Sequence, residues 1–599
     1  ANSILAITGS GGLTINDAVG LTSGDQLLIT IATDSTVNIL GAITLNNQPL
    51  TLTLIGSGAL TLSGSSKITA GAIIAATDGA GVLTLSGTVT QSAGIGANAA
   101  DLGTLNISAA ATTNAAVFSK IVNISGNADF INDLNANVIN VTGTATTFKI
   151  GDKALKASGT TSVLTLNATG QKVILDGTDI ISTNITAATD GHGTLEIDTA
   201  ATVAGVIGTS ATVKIGTVDV DAGGILQNSV FADNIKIANS QTLSFTGAVD
   251  DTVVTAAVDG DAARNGTIVI DSTAGQANAV RFLGAVGATN EIAVVTLTTD
   301  ADFESSIKAD AITVASGKVG TFLGDMTIGA ADLTSTGTSL FSGTSGQTIV
   351  GDSATSILDG AGLVKITNAS VDGVTLGTNA VLTAADLDLE INGSGAKLVV
   401  TQNAHSVDEV LLATAGAILE IDDTVANGET VFTVTTEQDA NSVHASSVIT
   451  LPSNLIAGQT IVLFKTIQTN GTNEAALVAD TNSALKDTVL SDYVATLTNT
   501  DDVTVTTHAK AEGTVATALG TTVNEARAMQ QMATALLAGS AAEIDTLTNT
   551  LNLSNGATTT QDTDLAQQAA PQTDGIAGST SGVKAMTGTV QSIVSNRMA

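Results

Sequence analysis

Residues 75–85 read "AATDGAGVLTL", and the phrase returns as "AATDGHGTLEI" at Ala187–Ile197 and "AAVDGDAARNGTIVI" at Ala256–Ile270. In each, a small apolar pair leads to Asp-Gly (Asp78-Gly79, Asp190-Gly191, Asp259-Gly260), a turn follows, and alternating Leu, Ile, Val and Thr begin. Gly and Asp tolerate turn dihedrals, and period-two alternation puts one set of side chains on each face of a strand. A second phrase comes downstream of each: "IGANAADLGTLNI" from Ile95, "IGTSATVKI" from Ile207 and "VGATNEIAVVTL" from Val286. The third copy is longer, as an insertion in a surface loop would make it. Imperfect self-similarity of this kind marks a repeat architecture whose single unit cannot bury its own apolar face.

The same grammar runs from Ile4 to about Val505. "LTLTLIGSGALTLSGS" (Leu50–Ser65), "TLNIS" from Thr104, "VINVTG" from Val138 and "VLTLNATG" from Val163 each place β-formers before turn-formers. Thr suits the outward positions, since its branched Cβ favours strands and its hydroxyl tolerates water. Helical solenoids would need apolar stripes of period 3.6, which this region lacks. Propeller blades would carry more aromatics than 2%, and a string of β-sandwiches would carry core Trp or Tyr, whereas the chain has no Trp and only Tyr493. The expected fold is mainly β: a right-handed parallel β-solenoid with coils of about 20–25 residues, Asn or Gly at the corners, and inward side chains stacked coil upon coil.

Composition agrees. Of 599 residues 61 are Gly, 13% are charged and none is Cys. Small side chains fill only a thin, finely divided core at interior packing density. Net charge is −35 with four arginines, which repels phosphate backbones and argues against nucleic-acid partners. No window offers the roughly 18 unbroken apolar residues of a membrane helix. The opening "ANSILAITGSGG" has no basic n-region or long apolar h-region, so the chain reads as a mature exported segment or a fragment of one. Zero Cys excludes disulfides and thiolate chemistry.

The texture changes near residue 426, giving three regions: 1–425 solenoid, 426–512 β cap and 513–599 helical linker. "ANGETVFTVTTEQ" and "GQTIVLFKTI" bring in Phe432 and Phe464, larger side chains suited to sealing an open end. Beyond Gly513 the period turns helical. Thr522–Glu525 is a capping box, with Val523, Ala526, Met529, Ala533, Leu536 and Leu537 forming a stripe behind it. Ser540–Glu543 repeats the device ahead of Ile544, Leu547 and Leu551, and Val583, Met586, Val590, Ile593 and Val594 line a last helix.

"GQTIVLFKTI … SDYVATLTNTDDVTVTTHAKA" resembles the autochaperone segment that closes the β-helix of autotransporter (type V secreted) passengers. "DLAQQAAPQTDGIAGSTSGVKAMTGTVQSIVSNRMA", with Ala570-Pro571 and Ser595 to Arg597, resembles the helical linker leading into their translocator barrel. The "IGA … LGTLNI" and "NITAATDG" phrases are similar to those of rickettsial-type surface cell antigens. The resemblance is specific over roughly residues 426–599 and extends to the rest in texture. It implies a passenger displayed at the outer membrane of a Gram-negative bacterium, anchored through a barrel that lies outside this sequence.

Candidate chemistry is sparse. His192, His405, His444 and His508 are far apart and have no metal-ligand spacing. "GTSGQ" and "GSGAL" are Gly/Ser turns without an accompanying base and orienter. Asp250-Asp251, Asp259-Gly-Asp261 and Asp422-Asp423 pair carboxylates, but a glycosidase groove needs a fixed carboxylate separation. Asp250, Asp259 and Asp261 could hold a structural calcium, which asks only for clustered oxygens; solvated turn acids are the plain alternative. No glycine-rich loop opens a helix to cradle a phosphate. The expected function is non-enzymatic: a surface adhesin passenger binding a host or environmental receptor, or alternatively an S-layer-like coat or filament subunit that associates laterally. A polysaccharide-processing β-helix enzyme ranks last.

Overall fold

In a computed structural model the chain is a parallel β-solenoid with helices toward its C-terminal side. The structure describes residues 2–537 apart from 8–11, 17–18, 21–25, 41–42, 45–49, 64–66, 69–70, 152–154, 157–161, 179, 248–251, 273–279, 354–356, 384–385, 436–437, 439–441, 467–472 and 500. It falls into two compact units, Ala1–Thr313 and Val314–Ala599.

In the first unit each coil lays short strands on three faces in turn. Gly71–Ala75 lies on a first face, Ala80–Leu85 on a second and Val89–Gln91 on a third. Gly94–Ile95 then returns to the first face, pairing in parallel with Ala72 and Ile73. Alternate residues point inward, so Leu83, Leu85, Leu105, Ile107, Val122 and Ile124 stack as buried columns. Each such burial is worth about 1.5–3 kcal/mol relative to exposure. Phenylalanines join the columns: Phe282 lies on Phe303 with ring centroids 5.1 Å apart.

Outward positions stack as well. Asn123 Nδ2 donates to Asn106 Oδ1 at 2.9 Å, and Asn140 Nδ2 donates to Asn123 Oδ1 at 3.0 Å, a ladder running from coil to coil. Coil length is less regular than the sequence suggested. The step is 22 residues from Thr84 to Asn106, 17 from Asn106 to Asn123, and 25 from Asn140 to Thr165. The face strands set the stacking registers, so the corners between them absorb the variation.

The three copies of the opening phrase begin strands on three different faces. Ala80–Leu85 pairs with Leu102–Ile107 on the second face, and His192–Ile197 pairs with Lys172–Leu175 and Ile215–Val220 on the third. Asn265–Ile270 pairs with Thr242–Phe245 on the first. Each copy is displaced by one face from the last, so the same turn occupies each of the three corners. The turns superpose bond for bond: Ala80, His192 and Asn265 N–H donate to Thr77, Thr189 and Ala262 carbonyls at 3.0, 3.2 and 3.2 Å. Gly81, Gly193 and Gly266 all have positive φ (81°, 76° and 76°), and a Cβ would lie 2.4, 2.3 and 2.6 Å from Leu54, Leu166 and Ile237. In the third copy the insertion moves the equivalent of Gly79 and Gly191 to Arg264, whose φ is 61°. Asp259-Gly260 therefore ends the preceding strand, Ala257–Gly260, and is not the counterpart of the other two Asp-Gly pairs.

The second unit repeats the pattern, with Phe322 on Phe341 at 5.3 Å between neighbouring coils. Past residue 426, Thr430–Val434 still pairs in parallel with Thr460–Thr466, stacking Phe432 on Phe464 at 6.2 Å. The parallel order then ends in an antiparallel hairpin, Ser491–Thr498 with Asp502–Ala509. A helix at Asn473–Ala484, unforeseen in the sequence, precedes the hairpin. Glu512–Leu519 and Val523–Leu537 are helical, and the capping box forms in both directions: Thr522 N–H to Glu525 Oε2 at 2.6 Å and Glu525 N–H to Thr522 Oγ1 at 3.3 Å. Ala526, Met529 and Ala533 pack on Val489, Leu490, Val515 and Leu519, whereas Val523 is 45% exposed. The stripe thus starts one turn later than its spacing suggested, because Val523 belongs to the cap. The helices expected after Ser540 and after Pro571 lie outside the described residues.

Candidate functional site

Stacking in register brings chemically like residues together from distant parts of the sequence. On the third face of the first unit the outward column runs Ile174, Glu196, Asp219, Lys236 and Asp259. Two residues further along three of the same strands, Asp176, Asp198 and Asp221 follow the last paired positions Leu175, Ile197 and Val220. Glu196, Asp219 and Asp221 each offer an oxygen within 4.8 Å of the others.

Successive parallel strands lie about 4.8 Å apart, so stacked carboxylates repel strongly where burial thins the solvent between them. Burial, then the like charge of Glu196, pushes the Asp198 carboxyl up to about 6. Asp219 is also raised, by burial first and Asp221 second, with Lys236 opposing. Cations close the upstream edge: Lys172 pairs with Glu196, and Lys149 with Asp176. The chemistry available to such a stripe is that of hard oxygen ligands and shared protons.

Asp250 lies outside the described residues. Asp259 uses its Oδ1 to accept from Thr289 N–H at 2.9 Å and Asn290 N–H at 3.1 Å, fastening the end of its strand to the next coil. Asp261 is exposed at a turn and contributes to the field on Asp219. The stripe itself escaped sequence reading because its members come from different coils. The available signal was the echo of "LEID" at Leu195–Asp198 in "VDVD" at Val218–Asp221.

Three of the histidines have local partners of their own. His192 Nδ1 lies 3.1 Å from the Asn167 carbonyl, and His444 Nδ1 accepts from Ser446 N–H at 3.0 Å. His405 is fully buried, accepts from Leu382 N–H on Nδ1 at 3.2 Å and stacks on Phe432. Desolvation lowers it to about 4. The "GTSGQ" turn serves packing: buried Gln347 accepts from Gly343 N–H at 2.9 Å and donates to the Phe322 carbonyl at 2.9 Å.

No family model, curated protein or solved structure matches this chain.

Proposed function

We propose that this chain is a non-enzymatic structural and adhesive protein of the bacterial surface, the passenger of an autotransporter, contacting a host or environmental surface. The observation that carries the reading is the placement of one turn motif at all three corners of the first unit, each copy fixed by the same backbone bonds. Repeated presentation of equivalent loops suits attachment through many weak contacts, where effective concentration multiplies modest affinities. The resemblance of residues 426–599 to autotransporter cap and linker segments supports export and display at the outer membrane.

Beads coated with the chain test this directly. Saturable adhesion to cells or extracellular matrix is expected, competed by soluble chain. Absence of adhesion to every surface tried overturns it. The carboxylate stripe favours a second reading, a coat subunit whose copies pack side by side once divalent ions screen the −35 charge. Sedimentation with and without millimolar calcium separates the two, since the coat reading requires assembly and the adhesin reading requires a monodisperse chain.

A further inference from the structure

Nine of the 11 phenylalanines are fully buried, and the other two, Phe118 and Phe231, are half-buried. These two occupy equivalent positions. A Cβ on Gly96 would meet the Phe118 carbonyl at 2.1 Å, and one on Gly208 would meet the Phe231 carbonyl at 2.2 Å. Each ring thus flanks the second phrase of its repeat, at a different corner of the first unit.

At the Phe118 corner the surroundings form a notch of about 360 Å³ lined by Asp78, Asn98, Asp101, Phe118, Lys120 and Asn135. Lys120 Nζ sits 2.9 Å from Asp78 Oδ2 and 3.0 Å from Asp101 Oδ2. Asn135 is stacked one coil beyond Phe118 and is only 9% exposed. Its side-chain amide lines the notch. An amide on the wall of a notch can exchange its water for a ligand hydroxyl, so a group able both to donate and to accept is suited to it. The lip of the notch is strained, because Ala99 is held at φ 67°. Strain of this kind gathers at binding sites, where surrounding contacts hold it in place.

Charge narrows the ligand class. The ammonium between the two carboxylates takes the place a metal ion would occupy, and the two carboxylates disfavour an anion. What remains is a neutral group rich in both donors and acceptors, with an apolar face for the Phe118 ring. A hexopyranose has these properties: its hydroxyls can donate to the Asp78 and Asp101 carboxylates and accept from the Asn135 and Asn98 amides. We infer that the Phe118 notch binds a neutral sugar residue of a glycan chain. A cavity of this size lies at the lower end of the range of small-ligand sites, about 300–1,000 Å³. At the Phe231 corner the ion pair is transposed to Lys214–Asp233, and no asparagine follows Val254, the partner of Val230. The principal site is therefore the first corner. The inference names a ligand class for the adhesive reading and rests on it for biological meaning only.

Saturation-transfer NMR on the whole chain with methyl glycosides of glucose, galactose, mannose and N-acetylglucosamine tests the notch without reference to adhesion. Transfer to at least one glycoside is expected, with affinity at least about fivefold weaker in Phe118→Thr and Asn135→Ala. Asn98→Ala, on the exposed lip, gives the same direction of change in a variant whose folding is not in question. No transfer to any glycoside, or transfer unchanged in Asn98→Ala and Phe118→Thr, overturns the inference. Coated beads run in parallel separate the two claims. Adhesion without glycoside transfer removes the notch and leaves the adhesive reading, whereas glycoside transfer without adhesion does the reverse.

Discussion

Lys120 and Asp233 occupy the same position in two copies of one motif and carry opposite charge. Each follows the residue stacked on the first residue of the preceding coil's strand: Ser119 on Leu102, and Ala232 on Ile215. The partner is exchanged too, Asp101 for Lys120 and Lys214 for Asp233, so an ion pair between coils survives in both copies. In the third copy Arg264 joins Glu291 at 3.2 Å and reaches Asp310 at 3.7 Å. What persists across the copies is the closure of a corner by opposite charges, with no fixed residue at either end.

Reversing one end should therefore be harmful and reversing both should not. Lys120→Asp is expected to destabilise the first unit by about 1 kcal/mol or more, since Asp101 is nearly buried and would face a like charge. Adding Asp101→Lys should recover most of that loss. A double-mutant cycle by urea unfolding reads the coupling.

The turn glycine should resist substitution for two separable reasons. Gly193→Ala forces a side chain onto a φ of 76° and places a Cβ 2.3 Å from Leu166 Cδ1. A loss of about 2–4 kcal/mol is expected from dihedral strain and overpacking together. Gly428→Ala, at φ 83° with open space around it, should lose only about 1 kcal/mol from the dihedral.

Asp198 makes the first unit more stable on mild acidification. Its folded pKa, about 6, lies above the unfolded value of about 3.9, so the folded state binds the proton more tightly between those limits. The benefit is complete below pH 4 and is lost as pH rises through 6. Thermal unfolding should show a higher midpoint for this unit at pH 5 than at pH 7.5, and Asp198→Asn should flatten the difference.

His405 acts in the opposite sense in the second unit. Its folded pKa, about 4, lies below the unfolded 6.5, so the unfolded state takes up the proton first. The stability it contributes when neutral is present above pH 6.5 and is lost as pH falls toward 4. His405→Phe, which keeps the stacking on Phe432, should remove this acid-side loss. Calorimetric transitions of the two units should accordingly move apart between pH 7 and 4.5.

Much of this was legible in the sequence, for a physical reason. Strands of a solenoid are short and their alternation is local, so "LTLTL" or "TLNI" declares its inward side chains without reference to the rest of the chain. The glycines of the repeated turn were legible because only a residue tolerating positive φ fits against Leu54 or Leu166. Coil register was not, since corners vary freely and Asn106 meets Asn123 after 17 residues where Thr84 meets Asn106 after 22. Everything that depends on register was hidden with it: the carboxylate stripe, the transposed ion pairs and the Asn135 amide beside Phe118. The helix Asn473–Ala484 was obscured by its setting among β-rich segments and by its lack of an apolar stripe.

Register is the claim on which the stripe, the corners and the notch all depend, and it is open to direct measurement. The chain has no cysteine, so Asn106→Cys with Asn123→Cys places two thiols on adjacent coils of the asparagine ladder. Near-complete intramolecular linkage by a thiol reagent spanning about 5 Å is expected for this pair. A pair offset by four residues, Asn106→Cys with Asn127→Cys, should scarcely link. Equal linkage of both pairs, or of neither, would contradict in-register stacking of the coils.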